Sequence, residues 1–62
     1  MLKVCVYQIR DEFVLVERMT YNPLYPLFII VDKKNISDAY CELGYIGYVT
    51  PIGGNQYRFT GA

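Results

Sequence analysis

The side chains with the most chemical potential in this chain are two cysteines, Cys5 and Cys41, and two close pairs of carboxylates, Asp11 with Glu12 and Asp38 with Glu42. A nucleophilic thiol needs a base or cation to lower its pKa, and Cys41 has no basic neighbour in sequence that suggests one. The chain contains no histidine, so imidazole-based metal sites and general acid-base chemistry near neutral pH lose their usual participant. Asp11 and Glu12 fall in a turn, where solvated carboxylates are ordinary. Asp38 and Glu42, four apart on an expected helix, repel slightly and have no third ligand in view for a metal. These features predict a protein that is not an enzyme and that needs neither cofactor nor metal.

With 62 residues the chain is expected to be one small domain spanning positions 1–62. At that size folding hides only about 60% of the surface that the unfolded chain exposes. Stability then calls for self-association, a partner, or close packing. Six basic and six acidic residues cancel, leaving no long-range field towards phosphate or anionic lipid. The start MLKVCVYQIRDE lacks the apolar length and cleavage pattern of a secretion signal, which predicts a cytoplasmic protein. The longest apolar run, Leu27 to Val31, falls far short of the roughly 20 residues of a membrane-spanning helix and reads as a buried strand. In that setting the two cysteines are expected as reduced thiols rather than a bridge.

Leu2 to Ile9 and Phe13 to Met19 are rich in Val, Ile, Phe and Tyr and flank the charged Arg10-Asp11-Glu12, which predicts an antiparallel hairpin. Val4, Val6, Val14 and Val16 alternate with Cys5, Tyr7, Ile9, Phe13 and Leu15, so both faces of this pair are apolar. A sheet apolar on both sides needs two covers. Pro23 and Pro26 interrupt the pattern and make TYNPLYPL a connecting loop. A strand, LFIIVD, follows it.

In KNISDAYCELG, Ile36, Ala39, Tyr40 and Leu43 recur at helical spacing, with Asn35 as a cap and Gly44 as a stop. A helix of two to three turns is expected there. Gly53, Gly54 and Asn55 form the strongest turn signal and join YIGYVTPI to QYRFT in a second hairpin. A two-residue turn places Ile46, Tyr48, Thr50 and Ile52 with Tyr57 and Phe59 on the core face. Tyr45, Gly47, Val49, Pro51, Gln56, Arg58 and Thr60 then share the other. A three-residue turn exchanges the partners. The predicted fold is an α+β domain: a small antiparallel sheet, made of two hairpins plus a middle strand, with one short helix packed on it.

The last of these elements, Glu42 to Ala62, resembles the end of a winged-helix domain. There a recognition helix finishes in Leu-Gly-Tyr-Ile, a Gly-rich wing turns, and a strand ending Tyr-Arg-x-Thr returns. The resemblance implies a helix in the DNA major groove and a wing on the backbone. Upstream, β-like segments stand where that family has helices, and the expected helix carries Asp38 and Glu42 with no basic residue. The echo is therefore read as a helix followed by a hairpin.

Seven tyrosines are the remaining distinctive feature. Tyrosine supplies large contact area with few torsions to freeze and a hydroxyl that tolerates water. Tyr7, Tyr40, Tyr48 and Tyr57 fit core or rim positions of strands and helix. Tyr21, Tyr25 and Tyr45 are harder to bury together, and with Val49 and Arg58 they form the expected partner-binding surface. The function this predicts is a small protein-binding module, an inhibitor or regulator of a larger complex, of the type that viruses and mobile elements encode against host or defence proteins. One alternative is a nucleic-acid binder gripping a strand with Tyr45, Tyr57 and Arg58, helped by Lys33 and Lys34, which the zero net charge disfavours. Another is a homo-oligomer whose subunits hold a small ligand between them. No membrane partner is expected.

Overall fold

A computed structural model describes residues 1–61; Ala62, the end of the wing-like segment, lies outside the described residues. The described residues form five strands: β1 (Leu2–Ile9), β2 (Phe13–Arg18), β3 (Phe28–Asp32), β4 (Ile46–Gly53) and β5 (Gln56–Gly61). All paired strands are antiparallel, in the order β3-β2-β1-β4-β5. β1 is central, and both edge strands, β3 and β5, run in its direction. The sheet coils until these edges lie against each other, which makes a small, partly open barrel. No helix among the described residues is long and apolar enough to cross a membrane.

Alternation decides the interior. Leu2, Val4, Val6, Val14, Val16, Ile29, Val31, Ile36, Val49 and Phe59 are buried and form one core, with Ile9 packed against it. A bulge reconciles Val6 and Ile9, three apart, with a common face. Val6 pairs with Val16 and Gln8 with Leu15, so Tyr7 is the extra residue and Ile9, opposite Val14, points inward again.

The expected helix does not form, which corrects the α+β reading to an essentially all-β domain. Lys33–Asn35 and Asp38–Tyr40 make two separate 3-10 turns instead. The Asp32 side chain accepts from the Lys34 backbone N–H, and Ser37 Oγ accepts from Ala39. Each cap holds its own short turn, the competition that Asp and Ser offer to a continuous helix. Ile36 between them is extended, with φ −143° and ψ 138°, and its side chain is buried in the core. Leu43, which a helix would place beside Ile36, is left exposed. Burying Ile36 thus outweighs a helical run too short to form by itself. Gly44, at φ +83°, acts as a bend and not as a helix stop. Its N–H donates to the Val6 carbonyl and the Tyr45 carbonyl accepts from Val6 N–H, so the chain meets β1 before β4 begins.

The second hairpin forms, but with the opposite parity in β4. Gly54 and Asn55, at φ 59° and 60°, occupy a two-residue turn closed by Gly53 and Gln56. The turn is the expected one. An extra residue between Pro51 and Gly53, however, shifts every partner beyond it. Val49 therefore pairs with Phe59 on the core side, while Tyr48 opposite Thr60 and Thr50 opposite Arg58 lie outside. Tyr57 and Phe59 face inward as expected, whereas Ile46, Tyr48, Thr50 and Ile52 do not line the core. Both turn residues are left-handed, so Gly54→Ala is expected to lose about 1–2 kcal/mol and Asn55→Gly much less, by urea titration.

Candidate protein-binding loop and sheet face

The residues expected to form one contact surface are dispersed by the register of β4 and β5. Val49 is fully buried and cannot meet a partner. Tyr45 is half-buried beside Tyr40 and Phe59, with ring centroids 5.1 and 6.1 Å away. Tyr25 is half-buried against the core and lies 6.3 Å from the Tyr57 ring. These rings seal the barrel. Arg58 is exposed on the outer face, away from the inward Tyr45 and Tyr57, so the proposed nucleic-acid grip is not assembled on one surface. Of these three tyrosines, only Tyr21 stands clear of the fold, 82% exposed.

Tyr21 belongs to a loop that is built with care. Arg18, the last residue of β2, pairs with Val4 and shares the inward parity of Val14 and Val16, so it caps one end of the core. Its guanidinium donates to the Asn22 carbonyl at 3.1 Å and to the Tyr25 carbonyl, and lies 5.4 Å from the centre of the Tyr21 ring. The Arg18 N–H donates to the Leu27 carbonyl at 2.7 Å and closes the base of the loop. Asn22 adds a local turn, its Oδ1 accepting from Leu24 N–H and its carbonyl from Tyr25 N–H. Pro23 and Pro26 restrict the remaining backbone freedom. At the tip Leu24 is 86% exposed, more than any other large apolar side chain of the described residues. Removal of the organising cation should release this loop. Arg18→Met is expected to lower global stability by only about 1–2 kcal/mol, because the guanidinium is partly solvated. Hydrogen exchange should show the larger effect, with the amides of Leu24 and Tyr25 losing most of their protection while the core strands keep theirs.

A second apolar surface covers the outer face of β1, β2 and β3. Tyr7 and Phe28 meet there with ring centroids 5.0 Å apart, and Ile30 is 60% exposed. Leu15 and Cys5 are half-buried on the same face. The Phe28–Glu17, Glu17–Cys5 and Cys5–Ile46 pairs continue it as one row across four strands. The double-sided apolar pattern of β1 and β2 foreshadowed this face. The contributions of Phe28 and Ile30 were hidden, because the run Leu27 to Val31 reads as wholly buried. In an edge strand of a barrel, alternation sends every second residue outward.

Cys5 and Cys41 are free thiols. The described residues contain no group of three or more potential metal ligands and no pocket. What the molecule offers is surface: a convex braced loop and an apolar sheet face. No protein-family model, no curated protein and no solved structure matches the chain, so the role of these surfaces is read from their own physical chemistry.

Proposed function

We propose that this chain is a non-enzymatic protein-binding module, an inhibitor or regulator of a larger protein, which docks by inserting Tyr21 and Leu24 into an apolar cleft of its partner. The carrying observation is the contrast within one loop. Its backbone is held by Arg18, Asn22 and two prolines, while its two largest tip side chains contribute almost no burial to the fold. Fixing a loop before binding removes much of the ordering entropy that association otherwise costs. Covering a leucine and a tyrosine then contributes about 1.5–3 kcal/mol for each side chain. Residues 19–27 carry no lysine, arginine or carboxylate, so the tip suits an apolar protein cleft better than phosphate or an anionic lipid surface.

Photocrosslinking tests this reading. A photoreactive amino acid is placed at Tyr21, at Leu24 or, as a control, at the exposed Thr60 of β5, and each protein is irradiated in extract of its source cells. One discrete protein adduct is expected from the two loop positions, absent from Thr60 and lost when Arg18→Met is added. Equal labelling from all three positions, or an adduct indifferent to Arg18→Met, would sink the proposal.

A further inference from the structure

We infer that the docking surface extends from the Tyr21-Leu24 tip to the whole end of the barrel on which it sits, and that the partner's apolar cleft is bordered by carboxylates; this rests on the reading of the loop given above. β2 and β4 both run antiparallel to β1, so the connections that follow them, residues 19–27 and the Gly54-Asn55 turn, leave the same end. The Tyr25 and Tyr57 rings, 6.3 Å apart, join the two connections. Residues 19–27 carry no charge, and neither do residues 43–57. Met19, Tyr21, Leu24, Leu27 and Ile52 expose apolar side chains there. An apolar centre of this kind is the usual middle of a protein interface, and the charged rim then decides which partner fits.

The charges divide by end. The start of β1, the end of β2 and the first half of β5 supply Lys3, Arg18 and Arg58 against Glu17 alone, an excess of two cations at the loop end. The opposite end, made by the turn after β1 and by residues 32–42, holds Asp11, Glu12, Asp32, Asp38 and Glu42 against Arg10, Lys33 and Lys34, an excess of two carboxylates. Zero net charge thus conceals two ends of opposite sign. The eight residues of β1 separate them by roughly 25 Å, whereas charge is screened over about 8 Å at physiological salt, so a partner at one end senses that end alone. Arg58 is the cation best placed to act on it. It is exposed, it is the only charge between Leu43 and Gly61, and its neighbours Thr50, Gln56 and Thr60 are uncharged. Lys3 has Glu17 diagonally beside it, and Arg18 is committed to the loop carbonyls. Carboxylates around the partner's cleft are attracted to this end and repelled by the other, so charge orients the approach with Tyr21 and Leu24 leading. An anionic lipid surface fits less well, because its recognition takes a cluster of about 4–8 basic residues and this end has three.

The test quantifies the photocrosslinked adduct formed from Leu24 in extract of the source cells at about 50 and about 500 mM salt, and adds a second photoreactive position at Ile52. Ile52 is expected to label the same protein as Leu24. The Leu24 adduct should fall by about fivefold or more at the higher salt and by a similar factor in Arg58→Glu. Lys34→Glu, exposed at the opposite end, should leave it unchanged. Circular dichroism checks that each variant is folded, and Arg58→Gln, which removes the charge without adding one, serves if Arg58→Glu is not. A Leu24 adduct indifferent to salt and to both Arg58 variants, or one not shared by Ile52, would overturn the inference and leave the loop reading standing. No adduct from Leu24, or co-sedimentation of the chain with vesicles of equal phosphatidylcholine and phosphatidylserine in place of an adduct, would overturn both.

Discussion

Phe59→Ala is expected to leave most of the chain unfolded at 25 °C. Phe59 is 3% exposed, lies opposite Val49, and packs its ring against those of Tyr40 and Tyr45, at 5.9 and 6.1 Å. Truncating a buried phenylalanine typically removes about 3–5 kcal/mol, because the lost transfer energy is compounded by the cavity left behind. At about 0.05–0.15 kcal/mol per residue, a chain of this length has a total stability of about 3–9 kcal/mol. The loss is therefore of the same size as the stability itself. Far-UV circular dichroism with urea titration measures it directly, with Phe59→Leu as a milder control that keeps most of the apolar volume. A loss below about 1 kcal/mol would mean that β5 is not part of the cooperative core.

The second large effect is expected at Gly47, where the fold has no room for a methyl group. Gly47 pairs with Gly61 across β4 and β5. A Cβ on Gly47 would lie 2.6 and 2.8 Å from atoms of the Phe59 ring and press on the Thr60 carbonyl oxygen. The oxygen belongs to the β5 backbone and cannot retreat without disturbing the ladder, so Gly47→Ala should destabilise by about 2–3 kcal/mol. Gly61→Ala is a telling comparison. There the obstacles are the Tyr40 ring and the Tyr45 hydroxyl, both at 2.9 Å and both on side chains that can swing, so a loss of about 1 kcal/mol or less is expected. Because Gly47 and Phe59 share one space, Gly47→Ala combined with Phe59→Leu should cost less than the two separate losses together. Strict additivity in thermal and urea unfolding would contradict this account of the aromatic cluster.

These two positions also mark where reading the chain residue by residue succeeds and where it stops. The first hairpin, the proline-broken loop, the third strand and the Gly54-Asn55 turn all follow from local composition, because β-branched runs, prolines and left-handed turn residues constrain their own backbone. The assignment of Val49 to the surface and of Tyr48 to the core failed for one reason, the extra residue between Pro51 and Gly53. Strand parity has a period of two, so a single inserted residue inverts it, and no residue type in TPIGG announces the insertion. Likewise the helical spacing of Ile36, Ala39, Tyr40 and Leu43 is present in the chain, yet Ile36 gains more by entering the barrel than a short helix gains by forming.

The contact surface shows the same division. Tyrosine enrichment directs attention to the aromatic side chains, but it cannot separate Tyr45 and Tyr25, which seal the barrel, from Tyr21, which remains in water. Leu24, Phe28 and Ile30 are also exposed and had no distinguishing local signal. Sequence alone determined the strand-forming segments, the lack of histidine, the electrical neutrality and the apolar character of both faces of the first hairpin, since each depends on residue type and near neighbours. Only the tertiary structure decided which side chains stay outside, because that depends on two bulges and on the coiling that brings β3 against β5, and both arise from contacts between residues distant in the chain.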